Sequence, residues 1–484
     1  MDLTQLEVYI NALAELEYLQ SLDPSEGGLL RGEEVFFARD LRPSSDAFLP
    51  EQNGRGEIAQ AIVAAIGDAG MRPINLGQIP TPALAHYALA HGKGSIMVTG
   101  SHIPFDRNGY KAYSGKGELL KQHEAPINAH VWEVRQKLYA QHPDQSLFDD
   151  RGFFKAGHQD LPPEHSEARA AWIGRFTTFF KGAPLSGKRL LVYQHSAVGR
   201  DLLVEILDHM GAQVIAAGRS AAFVPIDTEN IGAPQLAAIQ ALADDATAKH
   251  GPLDAIVSTD GDSDRPLILG VDAATAKVHF FGGDLVGMVV AWYLQADAVV
   301  VPITCNDAID RGSLSSALQP KTRIGSPFVI AGMEEARRQG KKRVCGWEPN
   351  GGFLTGSDIE RNGAVLRALL TRDAFLPILA TLAAAAASGI PLVELFGRLP
   401  KRFSRAALLA NFPRSRAVEI LAYLSPRAEI RTRLAQFFTR AHQLDGDIVC
   451  VGIGVELRMP AKTADIGLVW KIDGDLRLVA NRMQ

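Results

Sequence analysis

Cysteine is scarce. The 484-residue chain has three, Cys305, Cys345 and Cys450, odd in number and widely spaced, which excludes a disulfide-built scaffold and a paired-cysteine metal site and points to a reducing compartment, the cytoplasm. Net charge is also small. Lys and Arg number 50 against 54 Asp and Glu, leaving -4, so no basic field invites nucleic acid. The 13 histidines are scattered singly. No basic head followed by an apolar stretch opens the chain, so a secretion signal is not expected. The one long uncharged window, Ala374 to Val393, is largely alanine and contains Pro377, Gly389 and Pro391; it predicts a buried helix followed by a linker, not a membrane span.

What is present is globular. Hydrophobic residues make up 46% and charged residues 21%, and the length exceeds what one core serves, so about three or four domains are expected, with a cleft between them. Thr4 with Glu7 three residues on is a capping-box pattern, and Leu6, Tyr9, Ile10, Leu13 and Leu16 follow at helical spacing. Val35 to Ala38 is a short apolar run leading into RDLRPSS, Gly56 to Ala69 reads as a helix, and Ser95 to Val98 as a buried strand. That alternation is the beat of an α/β sheet protein. A polar, loop-rich stretch is expected from Glu124 to Glu167. A second α/β unit starts at Gly187 and includes the strand Leu253 to Ser258. A third starts at Gly282 and includes strands at Ala298 to Pro302 and around Val344, with helices from Leu366 to Ala387. After the linker SGIPLVELFGRLP, the residues from Lys401 on mix short helices with strands such as Ile448 to Gly452 and Ile466 to Val469. The expected divisions are 1–165, 166–275, 276–395 and 396–484.

Three loops carry chemistry. In TGSHIPFDRNGYK, a strand delivers Ser101 into a loop held by Pro104 and Gly109, flanked by His102, with Lys111 ten residues on. Ser101 is the candidate nucleophile and phosphate carrier, and Lys111 either a cation for phosphate or a proton-transfer group. In isolation the run could be a Ser-Gly turn with two solvated basic residues. In TDGDSDRP, Asp260, Asp262 and Asp264 alternate with small residues that let the backbone curl around one hard cation such as Mg2+. A calcium loop would need glutamate at its twelfth position, which is Val271. Arg265 follows and can clamp a phosphate. In GWEPNGGF, Glu348 and Asn350 could read sugar hydroxyls, although the run is also a plausible turn. Gly325 and Ser326 in IGSPF are either a substrate-binding loop or a strand-to-helix junction. Arg39, Asp40 and Arg42 are expected to form structural ion pairs beneath the serine loop.

Taken together, the Ser-His-x-Pro loop with its lysine, the Asp-Gly-Asp-x-Asp-Arg loop and the Gly-x-Glu-x-Asn-Gly loop resemble those of the α-D-phosphohexomutases, the phosphomannomutase and phosphoglucomutase group, in the family's order and over about residues 5 to 400. The resemblance implies three similar α/β domains with mixed, mostly parallel sheets and a smaller α+β fourth domain around a central cleft. It implies a phosphoserine at Ser101, Mg2+ held by Asp260, Asp262, Asp264 and Ser101, transfer assisted by Lys111, His102 and Arg265, and Glu348 gripping sugar hydroxyls. The expected partners are a hexose phosphate, mannose or glucose, and a hexose bisphosphate activator. Departures are visible as well. The family's opening Gly-Thr-Ser-Gly-x-Arg-Gly or Asp-x-Arg-Gly segment is not found before the first helix. Nor does its Arg-x-Ser-Gly-x-x-Pro phosphate loop occur beyond Lys401, where PRSR at Pro413 and the terminal ANRMQ are faint echoes. Asn350 stands where many members have serine, and Gly352 where they have histidine. These departures raise two alternatives to a mutase: a sugar-phosphate-binding protein without turnover, and a sugar phosphatase.

Overall fold

Thr4 starts the first helix. Its hydroxyl accepts a hydrogen bond from the Glu7 N–H at 3.2 Å and begins Gln5–Ser21, an N-cap in which one orphan donor is satisfied. The reciprocal half of a capping box is not made, because the Glu7 carboxylate takes Arg135 and Tyr139 instead. The computed structural model describes residues 4–49, 55–404, 406 and 413–415, with the strands Ile448–Val451, Gly454–Leu457, Leu468–Ile472 and Leu478–Arg482.

Three sheets share one plan. In the first, Arg72–Asn75, Glu34–Arg39 and Ser95–Val98 run parallel, and Tyr110–Ser114 and Gly117–Glu118 continue the sheet antiparallel. In the second, Gln213–Arg219, Arg189–His195 and Ala255–Thr259 are parallel, followed by antiparallel Pro266–Val271 and Val278–Phe280. In the third, Ala298–Val300 and Val344–Trp347 are parallel, then Phe353–Thr355 and Leu369–Asp373 are antiparallel. In each sheet the loop between the last parallel strand and the first antiparallel one is a loop singled out in the sequence: 99–109, 260–265 and 348–352. The central strands read as continuous apolar runs, buried on both faces, as parallel strands covered by helices do.

One core cluster runs from Phe36 to Phe396 and ties the sheets together. Trp172, on the helix Glu167–Phe179, is fully buried and meets Phe176 and Phe375 edge-on, with centroids 4.9 and 5.6 Å apart; such pairs add about 1 kcal/mol beyond area burial. Phe375 opens the helix Phe375–Ser388, which ends at Gly389 in the left-handed conformation. This is the alanine-rich window, buried along most of its length. Among the described residues no helix is long and apolar enough to cross a membrane.

Four expectations need correction. The stretch after Glu124 is not mainly loop: Lys121–Tyr139 is a helix with Pro126 inside it, held to the opening helix by Val131 and Val134. Residues from Leu366 to Asp373 are not helical. Leu369–Asp373 is a strand whose Leu369, Thr371 and Asp373 are buried alternately, and Ala364–Leu366 pairs with Ile359–Arg361. The linker after Gly389 contains a short helix, Leu392–Gly397. In the last unit, the strands fall at Ile448–Val451 and Leu468–Ile472 within a four-stranded antiparallel sheet, while the short helices expected there, and the rest of PRSR beyond 415, lie outside the described residues.

Candidate active site

A buried framework aims the serine loop. Where the strand Ser95–Val98 ends, Thr99 Oγ1 donates to Asp40 Oδ2 at 2.8 Å and accepts the Ser101 N–H at 2.7 Å. Asp40 also holds Arg42, Nη1 to Oδ2 at 2.6 Å, with both side chains fully buried. Arg42 Nη2 donates to the carbonyls of Ser101 and Ile103 at 3.0 and 2.5 Å, and Phe223 lies under its guanidinium, 3.9 Å from carbon to ring centroid. Arg39 pairs with Asp46 and Glu164. These are the structural ion pairs the sequence suggested. Ser101 itself has φ 53°, a left-handed conformation that costs a non-glycine residue on the order of 1 kcal/mol and that this framework holds in place.

The aspartate loop closes on itself. Asp260 Oδ1 accepts the N–H groups of Asp264 and Arg265, both at 3.1 Å, and its Oδ2 accepts Ser101 Oγ at 2.8 Å. Thus the two loops meet across 159 residues of sequence. Asp262 Oδ2 accepts Thr81 Oγ1 at 2.6 Å and Lys111 Nζ at 2.7 Å, and Asp264 Oδ2 accepts Lys111 at 2.8 Å. One carboxylate oxygen from each of Asp260, Asp262 and Asp264 lies within 4.8 Å of the others. Asp262 Oδ1 and Asp264 Oδ1 are buried and have no hydrogen-bond partner. Buried carboxylate oxygens left without hydrogen bonds are costly, Asp264 Oδ1 having only Arg265 Nε at 3.6 Å, and an all-oxygen trio of this size fits a divalent cation. Gly261 permits the approach: a Cβ there would stand 2.6 Å from the Ser101 carbonyl oxygen and 2.7 Å from Phe223.

The electrostatics divide the carboxylates. Burial, with Asp262 and Asp264 alongside, pushes Asp260 far above the usual range. Burial pushes Asp264 upward too, but Arg372, Lys111 and Arg265 outweigh it and hold that carboxyl well below the usual range. For Lys111, burial lowers the pKa, and the pull of Asp262 and Asp264 more than reverses this, so its ammonium stays charged. His102 is shifted down by burial and by Arg265. Its Nδ1 sits 2.8 Å from Arg265 Nη1. The arginine can only donate, so Nδ1 is the acceptor and the neutral ring carries its proton on Nε2.

The sugar-reading candidates divide. Glu348 joins the cluster through Arg372, whose Nη1 donates to Glu348 Oε2 at 2.9 Å while Nη2 and Nε reach Asp264 Oδ2 at 2.7 and 3.2 Å. Asn350 serves its own loop: Oδ1 accepts the Gly352 N–H at 2.9 Å, and its carbonyl accepts Thr228 Oγ1 at 2.9 Å. Gly325, with φ 121°, precedes the helix Ser326–Arg338. Ser326 Oγ donates to Glu118 Oε2 at 2.6 Å, and Glu118 Oε1 accepts Thr371 Oγ1 at 2.7 Å, so this loop joins the centre at one remove. Arg372, Thr81 and Glu118 were not anticipated. No motif marks them, although the period-two burial of Leu369–Asp373 would have placed Arg372 on the face opposite the core.

A multidomain α/β enzyme in which three strand-end loops gather a serine, a carboxylate trio and paired cations is the class that this fold and site define. The descriptions that match are phosphoglucomutase/phosphomannomutase alpha/beta/alpha domain I over residues 27–137 and domain III over residues 282–403. A phosphomannomutase of Sinorhizobium fredii is 38% identical over 445 residues, 92% of this chain and 85% of that protein. One from Salmonella muenchen is 38% identical over 375 residues, 76% of this chain and 68% of that protein. The chain therefore belongs to the phosphoglucomutase/phosphomannomutase family and is a phosphohexomutase-type isomerase. Solved structures agree on the fold. A family protein from Burkholderia thailandensis matches with TM-score 0.62 at 16% identity, covering 98% of this chain and 88% of that one. The open form of parafusin, a phosphoglucomutase from Paramecium, matches with TM-score 0.53 at 15% identity, covering 97% and 82%.

Proposed function

We propose that this isomerase is Mg2+-dependent and interconverts the 1- and 6-phosphates of mannose or glucose through a phosphoserine at Ser101 and a bisphosphorylated sugar. The observation that carries the proposal is the 2.8 Å contact between Ser101 Oγ and Asp260 within the carboxylate trio. A cation held by Asp260, Asp262 and Asp264 would offset charge on the phosphoryl group, and Mg2+ suits these hard oxygen donors. Phospho-Ser101 gives its phosphoryl group to the free hydroxyl of the hexose phosphate: the bond from phosphorus to the serine oxygen breaks and one to the sugar oxygen forms. The bisphosphate turns over in the cleft and returns its other phosphate to Ser101, and free hexose bisphosphate serves as activator.

Lys111, or a neighbour, acts as general acid and base: it protonates the departing serine oxygen and takes up the proton that the attacking sugar hydroxyl gives off. Arg265 and the Nε2–H of neutral His102 donate to phosphate oxygens. Glu348 receives sugar hydroxyls, with Asn350, Gly325 and Ser326 shaping the wall around them. Positioning and electrostatics supply most of the acceleration. The same reading divides the chain near residues 165, 275 and 395, with one site loop in each of the first three divisions and the last strand of the second sheet, Val278–Phe280, just past the second boundary. Similarity to a phosphomannomutase over 92% of the chain favours a mutase over a binding protein or a phosphatase. Intact mass of the purified protein tests the covalent step: a phosphate-sized increment that maps to Ser101, and loss of mutase turnover in Ser101→Ala, are the expected results. Full turnover in Ser101→Ala would end the proposal.

A further inference from the structure

Arg372 stands where the aspartate and sugar loops meet. Its guanidinium spans Asp264 and Glu348, and Asp264 Oδ2 also receives Lys111 at 2.8 Å, so two cations converge on one carboxylate oxygen. Like charges brought this close repel unless anions surround them. The guanidinium has five N–H donors, of which the bonds to Asp264 and Glu348 use three, and the side chain is 16% exposed. One donor on each of Nη1 and Nη2 remains for a phosphate oxygen.

The sugar loop is built to admit this side chain. A Cβ at Gly352 would stand 2.5 Å from Arg372 Cδ, with Cγ and Cβ at 2.8 and 2.9 Å. The space above position 352 is taken by the aliphatic stem of Arg372.

We propose that Arg372 is a substrate-contacting residue that binds the phosphoryl group in transit between Ser101 and the hexose, in company with Lys111. The inference rests on the mutase reading above. Its test separates binding from turnover by titrating glucose 1,6-bisphosphate, which carries the transferring phosphoryl group without Ser101, in the presence of Mg2+, into Ser101→Ala protein in a calorimeter. Ser101→Ala is expected to bind. The double variant with Arg372→Gln, which keeps amide donors for Asp264 and Glu348 but removes the charge, is expected to bind about 100-fold more weakly, and the one with Arg372→Lys about 10-fold more weakly, within the range for charge-assisted hydrogen bonds. Gly352→Ala, which leaves the arginine in place but crowds its stem, supplies a third variant and is expected to weaken binding about 10-fold. Binding within twofold of Ser101→Ala in these variants, with melting unchanged, would reduce Arg372 to a tie between two loops and leave the mutase reading intact. If Ser101→Ala kept mutase turnover or bound no hexose phosphate, the mutase reading itself would fail, and this inference with it.

Discussion

Gly261→Ala probes the meeting of the serine and aspartate loops with a single methyl group. The Gly261 backbone does not lie in the left-handed region, so the penalty is steric. The new Cβ would start 2.6 Å from the Ser101 carbonyl oxygen and 2.7 Å from the Phe223 ring, whereas carbon-to-oxygen contacts settle near about 3.3 Å. The loops must therefore part by roughly 0.7 Å. Neither neighbour yields easily: the Ser101 carbonyl is held by Arg42, and Phe223 is backed by the same guanidinium. Overpacking of this kind costs about 1–3 kcal/mol of stability, and a misplacement approaching 1 Å costs up to about 100-fold in rate. A coupled mutase assay should show kcat reduced about 10- to 100-fold, while Mg2+ affinity by calorimetry changes little, because the three aspartates sit on one loop and move together. Gly67→Ala is the control: it lies within the helix Ile58–Asp68 with nothing within 4 Å of its Cβ position, and should be neutral or stabilising by up to about 1 kcal/mol. Wild-type kcat in a folded Gly261→Ala protein would refute the claim that this approach sets the reacting geometry.

Other consequences follow from the same interactions. Arg42→Met leaves Asp40 buried and unpaired and should cost about 3–5 kcal/mol in urea unfolding, with Asp40→Asn restoring part of it in the double variant; an effect below about 1 kcal/mol would show that the pair is dispensable. Asp262→Asn should weaken Mg2+ binding at least about 100-fold in calorimetry, a loss larger than outer-shell changes cause, and undiminished binding would remove Asp262 from the ligand set. Glu15 on the opening helix is pushed up to about 7 by burial, against a weaker lowering effect of Tyr110, and its Oε2 lacks a partner. The native state therefore holds this proton more tightly than the unfolded chain, whose carboxyl titrates near about 4.3. The stabilisation is full below the unfolded value and is lost as pH rises through about 7. Glu15→Gln should then exceed wild type by about 3 kcal/mol at pH 8 and match it near pH 4, read from denaturant midpoints at the two pH values; equal midpoints at pH 8 would show that Glu15 ionises without penalty.

The reach of sequence reasoning followed the chemistry of each residue. The serine and aspartate loops were legible because their residue types have few competing uses: three carboxylates at alternate positions, separated by small residues, form a poor helix or strand and a good cation site. Asp40 and Arg42 were legible as a pair because opposite charges two apart in a turn can close on each other, as they do at 2.6 Å. Arg372 was not. It lies in a short alternating strand, LLTRD, whose leucines followed by an alanine-rich run suggested helix, and its importance comes from Asp264, 108 residues away. Thr81 was hidden for the same reason, since its partner Asp262 is 181 residues distant. The helix Lys121–Tyr139 was obscured by Pro126 and by a thin apolar stripe of Ile127, Val131, Val134 and Leu138 that only packing against the opening helix makes decisive.

The shared plan of the sheets explains how three loops far apart in sequence come to form one site. A parallel strand must be followed by a long crossover, whereas an antiparallel partner can be reached by a short return. At the point where each sheet changes from one mode to the other, the connecting loop emerges at a strand's carboxyl end and is pinned at its base by ladder hydrogen bonds, from the Thr99 N–H to the Gly109 carbonyl, from the Asp260 N–H to the Arg265 carbonyl, and from the Glu348 N–H to the Gly352 carbonyl. Loops anchored in this way have little freedom, and their side chains can be held against their own preferences, as the left-handed Ser101 and Ser263 are. Ligands in open α/β sheets gather at strand ends for a related reason. In this chain the position is occupied three times over, so loosening a pinning strand should damage catalysis as surely as removing a reacting group. Thr99→Pro, which strips the ladder donor to the Gly109 carbonyl together with the hydroxyl that holds the Ser101 N–H and leaves every reacting side chain in place, is expected to lower kcat at least about 10-fold in protein whose second and third sheets keep their amide protection in hydrogen exchange. Unchanged kcat would mean that the Arg42 clamp alone is enough to aim Ser101.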